Sequence, residues 1–361
     1  MPGVPGVIGT GTVYRPLRPD NTGNLLHAVA ARRLLQDHVE LPTGRAWTGA
    51  EAERAQGLSH IVVVMANAIR LGTTQNGLSP FHEAMAANLA RVDRPVVVFG
   101  LGAQAPSGAE AGTTVPEATL RLLRIIAERS RRIAVRGRFT AEVLERFGIT
   151  NAAVVGCQSC FLSRSPSFPY ALDRPLAEAG TEEGRVAFNY TSMNREGPLV
   201  RWAVAGGFDM IGQQEGYEES VRAGAVPPDD PRMERFFRTQ DLSPEDYSAY
   251  CRARFHKFFE TDAWLEHMRR YAFSLGSRFH GNMFALQAGV PALWLVHDRR
   301  TQELCEHLGL PSVALEEAMK VRDIAALREL ADPSGFLAGY PARYALFRSY
   351  VEEAGLPHRL A

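Results

Sequence analysis

The chain has 361 residues, which is long for one hydrophobic core and suits two domains of ordinary size. Its 40 basic and 40 acidic residues cancel, so no global field points to nucleic acid. No apolar run approaches the ~20 residues of a membrane span, and the start, MPGVPGVIGTGTVYRP, lacks the basic segment and apolar core of a signal peptide. Four cysteines without a framework spacing fit a reducing compartment, and a soluble cytoplasmic protein is expected.

Val7 to Tyr14 is strand-like and contains Gly9-Thr10-Gly11, a fragment of a dinucleotide fingerprint. Pro16 and Pro19 follow at once, so no helix starts there to hold a pyrophosphate, and the motif is rejected. Asp20-Asn21-Thr22-Gly23-Asn24 leads into a helix over Leu25–Gln36, with Asn24 as its N-cap. The free amides of that first turn would face an anion or a sugar, which marks Asn21, Gly23 and Asn24 as binding candidates. Plain turn chemistry accounts for the same residues.

Ile61–Met65 and Pro95–Phe99 read as buried strands, closed by Ala66-Asn67 and by Gly100-Leu101-Gly102-Ala103-Gln104. Small residues at a strand's carboxyl end are expected where backbone approaches a ligand, which singles out Gly100 and Gly102. A helix over about Val115–Ser130, a strand Ile133–Val135 ending at Arg136 and a helix Phe139–Phe147 come next, and Ala152–Val155 closes this half. Cys157 and Cys160 form a Cys-x-x-Cys, but a zinc site needs a second pair and a redox motif needs a thioredoxin-like setting. Two ordinary thiols are expected.

Residues 166–184 lie in a stretch rich in Pro, Ser, Glu and Gly and read as a linker. Val186–Phe188 opens a second strand–helix series, with Asn189 first in the polar run at its end. Phe208–Ile211 is the next strand, followed by Gln213-Gln214-Glu215. Residues 216–262, with Pro227-Pro228-Asp229-Asp230-Pro231, read as a helical insertion or lid, mobile at the proline-rich part. A helix over Thr261–Arg270 leads into the strand Tyr271–Leu275. Ser277-Arg278-Phe279-His280 is then a polar turn, and Gly281–Ala288 a helix stopped by Gly289 and Pro291. Val290–Val296 is a second buried strand. The chain closes with an amphipathic helix, Pro341–Glu353, whose Tyr344, Phe347 and Tyr350 need a partner surface and are expected to pack back toward the first domain. The alternation implies two Rossmann-like α/β domains, residues 1–165 and 185–361.

In such sheets the polar residues between a strand's end and a helix's start face the ligand crevice, which places Ser277, Arg278, His280, Gly281 and Asn282 there. Ser-Arg-Phe-His, the Ala-bearing helix and Ala288-Gly289-Val290-Pro291 before a strand resemble the C-terminal signature of the polysaccharide pyruvyl transferase family. The resemblance implies a GT-B-like architecture with a deep interdomain cleft. It also implies transfer of a pyruvyl group from phosphoenolpyruvate to saccharide hydroxyls, a ketal-forming step in cell-surface or exopolysaccharide biosynthesis. The family often carries Asn-x-Gly-Asp or Asn-x-Gly-Asn where this chain has Asn21 to Asn24. It places an arginine like Arg136 before a Ser/Thr-x-Glu helix, here Thr140-Ala141-Glu142. Two departures stand out: the family's Gly-Asp-Pro is Gly156-Cys157-Gln158, and its Asp-x-Lys is Asp298-Arg299-Arg300, so Arg300 takes the lysine's place at the phosphate.

Phosphoenolpyruvate carries a carboxylate and a phosphate, which call for guanidinium groups and helix-end amides. Forming a pyruvate ketal requires protonation of the enol carbon and attack by two hydroxyls, and histidine has the pKa for it. His280 is therefore the candidate acid and Arg278 the anion clamp, with Gly281 allowing close approach and Asn282 donating from the helix start. No cofactor and no metal are expected beyond the donor substrate. The partners are a small-molecule donor and a saccharide acceptor, free or lipid-linked, with peripheral membrane contact left open and no nucleic acid. A GT-B nucleotide-sugar glycosyltransferase is the alternative, which a Glu on the helix after the turn would favour; Gly281–Ala288 contains none. A catalytically silent sugar-binding relative is a further alternative, and the joint presence of Arg278 and His280 speaks against it.

Overall fold

A computed structural model describes residues 3–9, 21–74, 77–105, 114–168 and 184–361. The sequence readings at Thr10 to Asp20, and most of the linker read over 166–184, lie outside the described residues. Two six-stranded sheets organise the rest, and every strand pairing in them is parallel. The first contains β1 (Gly6–Gly9), β2 (Val39–Glu40), β3 (Ile61–Val64), β5 (Val96–Leu101), β7 (Ile133–Val135) and β8 (Ala152–Val154), in the order 2-1-3-5-7-8. The second contains β9 (Val186–Asn189), β10 (Asp209–Gly212), β11 (Phe255–Lys257), β12 (Phe273–Gly276), β13 (Ala292–Val296) and β14 (Ser312–Ala314), in the order 11-10-9-12-13-14. Short β4 (Ile69–Arg70) and β6 (Ala103–Gln104) pair beside the first sheet.

The runs Ile61–Val64 and Val96–Leu101 are buried throughout, as parallel strands covered by helices on both faces must be. The order in which strands are added reverses once in each sheet, between β1 and β3 and between β9 and β12. At such points the loops at the strands' carboxyl ends part and leave a crevice. The domains also share a core. Leu26, Ala30 and Leu34 of the helix Asn24–Leu34 belong to one buried cluster with Trp264, Met283 and Phe284, and Trp264 stacks on Phe284 at 3.9 Å. No helix of the described residues is long and apolar enough to cross a membrane.

Three sequence expectations change. The segment read as a helical insertion or lid of the second domain packs into that domain's core: helices Gly216–Arg222, Pro231–Gln240 and Pro244–Arg254 bury Met233, Phe236, Tyr247 and Cys251 there, and β11 follows as an edge strand. The Glu218 carboxylate accepts hydroxyl hydrogen bonds from Tyr190 at 2.8 Å and Tyr247 at 2.7 Å, which pins these helices to the sheet end. Asn24 is the first helical residue, and Gly23 holds the N-cap position. The terminal helix runs over Ser334–Glu353, starting before Pro341, which it accommodates internally. Its Phe347 stacks on Phe161 of the first domain at 4.7 Å, and the Tyr350 hydroxyl donates to the Val98 carbonyl of β5 at 2.7 Å.

Candidate active site

A cleft of about 370 Å³ lies between the carboxyl ends of the two sheets. From the first domain come Asn21 and Asn24 after β1, Asn67 and Arg70 after β3, Gln104 on β6 and Arg136 after β7. Phe81 and His82 reach in from the helix Ser79–Ala90. The second domain supplies Thr191 after β9, Gln213 and Gln214 after β10, Arg278 and His280 after β12, and Arg300 after β13.

Hydrogen bonds join the domains at both sides of this cleft. Thr22 N donates to the Gln213 carbonyl at 3.2 Å on one side, and Arg299 N donates to the Ala105 carbonyl at 3.3 Å on the other. On that second side the Glu303 carboxylate accepts from Thr140 N at 2.9 Å and from the Thr140 hydroxyl at 2.5 Å. A second-domain carboxylate thus satisfies an orphan amide at the start of the first-domain helix Arg138–Arg146. Burial pushes the Glu303 carboxyl up to about 7.

Arg136 is the most unusual cation. It is 1 % exposed, yet among the described residues no carboxylate bonds to it and its Nε has no partner, while a terminal nitrogen points to the Cys157 thiol at 4.0 Å. A Cβ at Gly102 would lie 3.0 Å from Arg136 Cδ, so the glycine makes room for the guanidinium. Arg70 is half-buried with an unpartnered Nε, and burial with the nearby Arg300 lowers its pKa. Arg300 faces Asp298 at 3.4 Å. Among the described residues two carboxylates act on these three guanidiniums, Asp298 and the part-protonated Glu303, so positive charge remains in excess and an arriving anion would relieve it.

His280 lies beside this cluster, with Nε2 3.9 Å from the Cys157 sulfur and its ring 5.7 Å from that of His27. Burial, then Arg136 and Arg300, hold its pKa well below 6.5, so the imidazole is neutral at pH 7. His27 is neutral for the same first reason and has a buried Nε2 without a partner. A Cβ at Gly100, whose φ is +70°, would come within 2.7 Å of that nitrogen. His82 bonds through Nδ1 to the Thr119 hydroxyl at 2.9 Å, and burial with Arg70 pushes it down to about 4.

Arg278 borders the cleft but is largely committed to protein. Its Nε donates to the Tyr190 carbonyl at 2.6 Å, one terminal nitrogen to Gln214 Oε1 at 3.2 Å and the other to Glu215 Oε1 at 2.5 Å. Two of its five N–H groups remain.

The remaining sequence candidates of this turn form its frame. Asn282 Oδ1 accepts from Asn189 at 2.8 Å and Ser274 at 3.0 Å, and its amide nitrogen donates to the Gly276 and Leu293 carbonyls. Ser277 donates to Glu196 at 2.5 Å, and Asn189 Oδ1 accepts from Arg278 N at 2.9 Å. Gly281 is small because Asn189 and Gln213 press on it, and Gly23 because Gln213 does. Asn189, Ser277, Gly281 and Asn282 thus take part in packing and hydrogen bonds around His280 and Arg278.

Asn21, Asn24, Arg136, Arg278, His280 and Arg300 do meet at the cleft as the sequence reading expected. It passed over Arg70 and His82 as site residues. Arg70 sits on a two-residue strand and His82 on an ordinary-looking helix, so neither carries a strand-end signal. Among the described residues no group of three or more His, Cys, Asp or Glu is placed to hold a metal ion.

The fold and sequence have relatives. Among solved structures, the Anabaena protein HepE in complex with UDP is 11% identical, with 98% of this chain and 98% of that one covered and a TM-score of 0.51. The UDP-N-acetylglucosamine 2-epimerase of Rickettsia bellii is 12% identical over 98% and 95% of the chains, with a TM-score of 0.49. S. aureus MnaA with UDP is 10% identical over 98% of each, at 0.47. The HepE likeness shows a fold, GT-B with two Rossmann-like domains, and no more. No curated protein matches the chain. The model of the family described as polysaccharide pyruvyl transferase matches residues 21–299, from the Asn21 loop through the signature turn to Arg299. The chain belongs to the polysaccharide pyruvyl transferase family, a family of transferases.

Proposed function

We propose that the cleft transfers a pyruvyl group from phosphoenolpyruvate to two hydroxyls of a saccharide, forming a ketal and releasing phosphate. The observation that carries this reading is Arg136: a buried guanidinium with no hydrogen-bonded carboxylate among the described residues, in one cleft with Arg70, Arg300 and a neutral imidazole. A small ligand with two anionic groups answers that arrangement, because its carboxylate and phosphate can each meet a guanidinium fork.

The donor would also set the protonation state of His280. The neighbouring cations keep the imidazole neutral, and a bound carboxylate and phosphate offset them and raise its pKa toward neutrality. A protonated His280 then gives its proton to the enol CH2, which becomes the ketal methyl. One saccharide hydroxyl adds to the carbon, phosphate departs with the electron pair of the C–O bond, and the second hydroxyl closes the ring. The two hydroxyl protons leave with phosphate and to His280, which returns to its starting state. Arg136 and Arg300 stabilise the leaving phosphate.

The test is incubation of the protein with phosphoenolpyruvate and a panel of galactosides, glucosides and mannosamine derivatives. Phosphate release matched by a new ketal methyl signal in the proton spectrum is the expected result. Glycosyl transfer from a nucleotide sugar without consumption of phosphoenolpyruvate overturns the proposal in favour of a GT-B glycosyltransferase.

A further inference from the structure

We infer that the cleft is polar along its length, with the saccharide acceptor bound at the end formed by Asn21, Asn24, Gln213 and Gln214 and the anionic donor at the opposite end. The inference rests on the pyruvyl-transfer reading. Its geometry comes from the topology. Going from the β1 side to the β7 side of the first sheet, the cleft residues are Asn21, Asn67, Gln104 and Arg136. From β10 to β13 in the second sheet they are Gln213, Thr191, His280 and Arg300. The cross-domain bonds Thr22 to Gln213 and Arg299 to Ala105 show that the two series run in the same sense. One end is therefore made of side-chain amides and the other of guanidiniums, with His280 between them.

The chemistry of the ends differs accordingly. An amide both donates and accepts, which suits neutral hydroxyls. Arg278 turns toward the amide end, but its charge is matched there by Glu215. At the other end Arg70 and Arg136 have no salt bridge among the described residues, and Arg300 has one at 3.4 Å.

Gln213 is the residue built most firmly for this task. It is 3 % exposed, lines the cleft, and its Nε2 is buried without a partner. Its amide is wedged between two helix starts, one from each domain. A Cβ at Gly23 would lie 1.9 Å from Gln213 Oε1, and one at Gly281 would lie 2.8 Å from Nε2. The two helix starts confine the amide, and among the described residues its N–H is left unpaired in a residue that lines this end of the cleft. A buried donor left unpaired is costly, and a saccharide hydroxyl removes that cost.

The test compares the wild type with Gln213→Met and Gln214→Met. Acceptor KM is read from phosphate release with methyl β-galactoside, methyl β-glucoside and N-acetylmannosamine, and phosphoenolpyruvate affinity from calorimetry. Each variant is expected to raise acceptor KM by about 3–10-fold, the loss of one neutral hydrogen bond, with donor affinity unchanged. Gln214 is exposed, so its variant keeps the test open if Gln213→Met fails to fold. Weakened donor binding with unchanged acceptor KM overturns the inference. If the wild type does not use phosphoenolpyruvate at all, the functional reading fails by itself. Saturation-transfer NMR of the same three saccharides on wild type and Gln214→Met then decides: loss of saccharide signal in the variant supports the amide end, and equal or absent signal in both overturns it.

Discussion

Glu303 offers a direct handle on how the two domains are held together, because its carboxylate reaches from the helix Arg299–Leu308 to Thr140 of the other domain. Burial raises its pKa from 4.5 to about 7 despite the two hydrogen bonds. An acid whose pKa is raised on folding takes up a proton more readily in the folded state. Its contribution is therefore most favourable below 4.5, declines as pH rises between 4.5 and about 7, and is flat above. Between pH 5 and pH 8 this amounts to about 2.5 kcal/mol lost by the wild type, at ~1.36 kcal/mol per pKa unit. Glu303→Gln cannot ionise, so it lacks this slope. It does weaken one of the two Thr140 bonds, at a cost of about 1–3 kcal/mol that is the same at both pH values. Denaturant unfolding of both proteins, followed by tryptophan fluorescence at pH 5 and pH 8, isolates the term, since every other titrating group cancels in the comparison. The variant should be clearly the less stable at pH 5 and should reach or pass the wild type at pH 8. A stability difference constant within ~0.5 kcal/mol across that range would refute the reasoning, because a group titrating near 7 must move it.

His280→Gln keeps a polar side chain at the helix start, so donor binding and melting temperature should hold while pyruvyl transfer falls by about 10²–10⁴-fold; an unchanged rate in a stable, donor-binding variant removes His280 from the chemistry. Arg136→Met should weaken phosphoenolpyruvate affinity by about 1.5–3 kcal/mol with little loss of stability, since it takes out a buried charge with no hydrogen-bonded carboxylate among the described residues. Calorimetry that shows equal donor affinity would make Arg136 structural. Arg278→Lys loses bonds to Tyr190, Gln214 and Glu215, so a rise in acceptor KM is expected with donor affinity nearly intact, and steady-state kinetics in both substrates separates that from a donor clamp. Donor binding should also take up protons near pH 7 as His280 acquires a charge, which calorimetry in buffers of different ionisation enthalpy measures; no buffer dependence would argue against the proton sequence above.

The alternation of strand and helix was legible because a parallel strand buried on both faces is a continuous apolar run, and Ile61–Val64 or Val96–Leu101 announce themselves. Strand-end position brought Arg278 and His280 forward and favoured Arg136, the family resemblance added Arg300, and all four line the cleft. Strand-end position failed where position and direction part. Asn282 and Ser277 lie close to His280 in sequence, yet the Asn282 amide donates to the Gly276 and Leu293 carbonyls and the Ser277 hydroxyl to the Glu196 carboxylate. The Pro-rich 216–262 segment misled for a related reason. Its helices are separated by turn residues, but Phe236, Tyr247 and Tyr250 are spaced to cover a sheet face, which only the tertiary structure reveals.

The terminal helix has a consequence for how the chain is made. Phe161 of the first domain is covered by Phe347, 186 residues downstream, and Phe99 by Tyr350, 251 residues downstream. On a ribosome adding about 5–20 residues per second, that aromatic face stays open for roughly 10–40 s after Phe161 is made. The first half can form its sheet during synthesis, but it cannot close its surface until the last helix emerges. Chains truncated before Tyr340 should therefore be sticky rather than merely inactive.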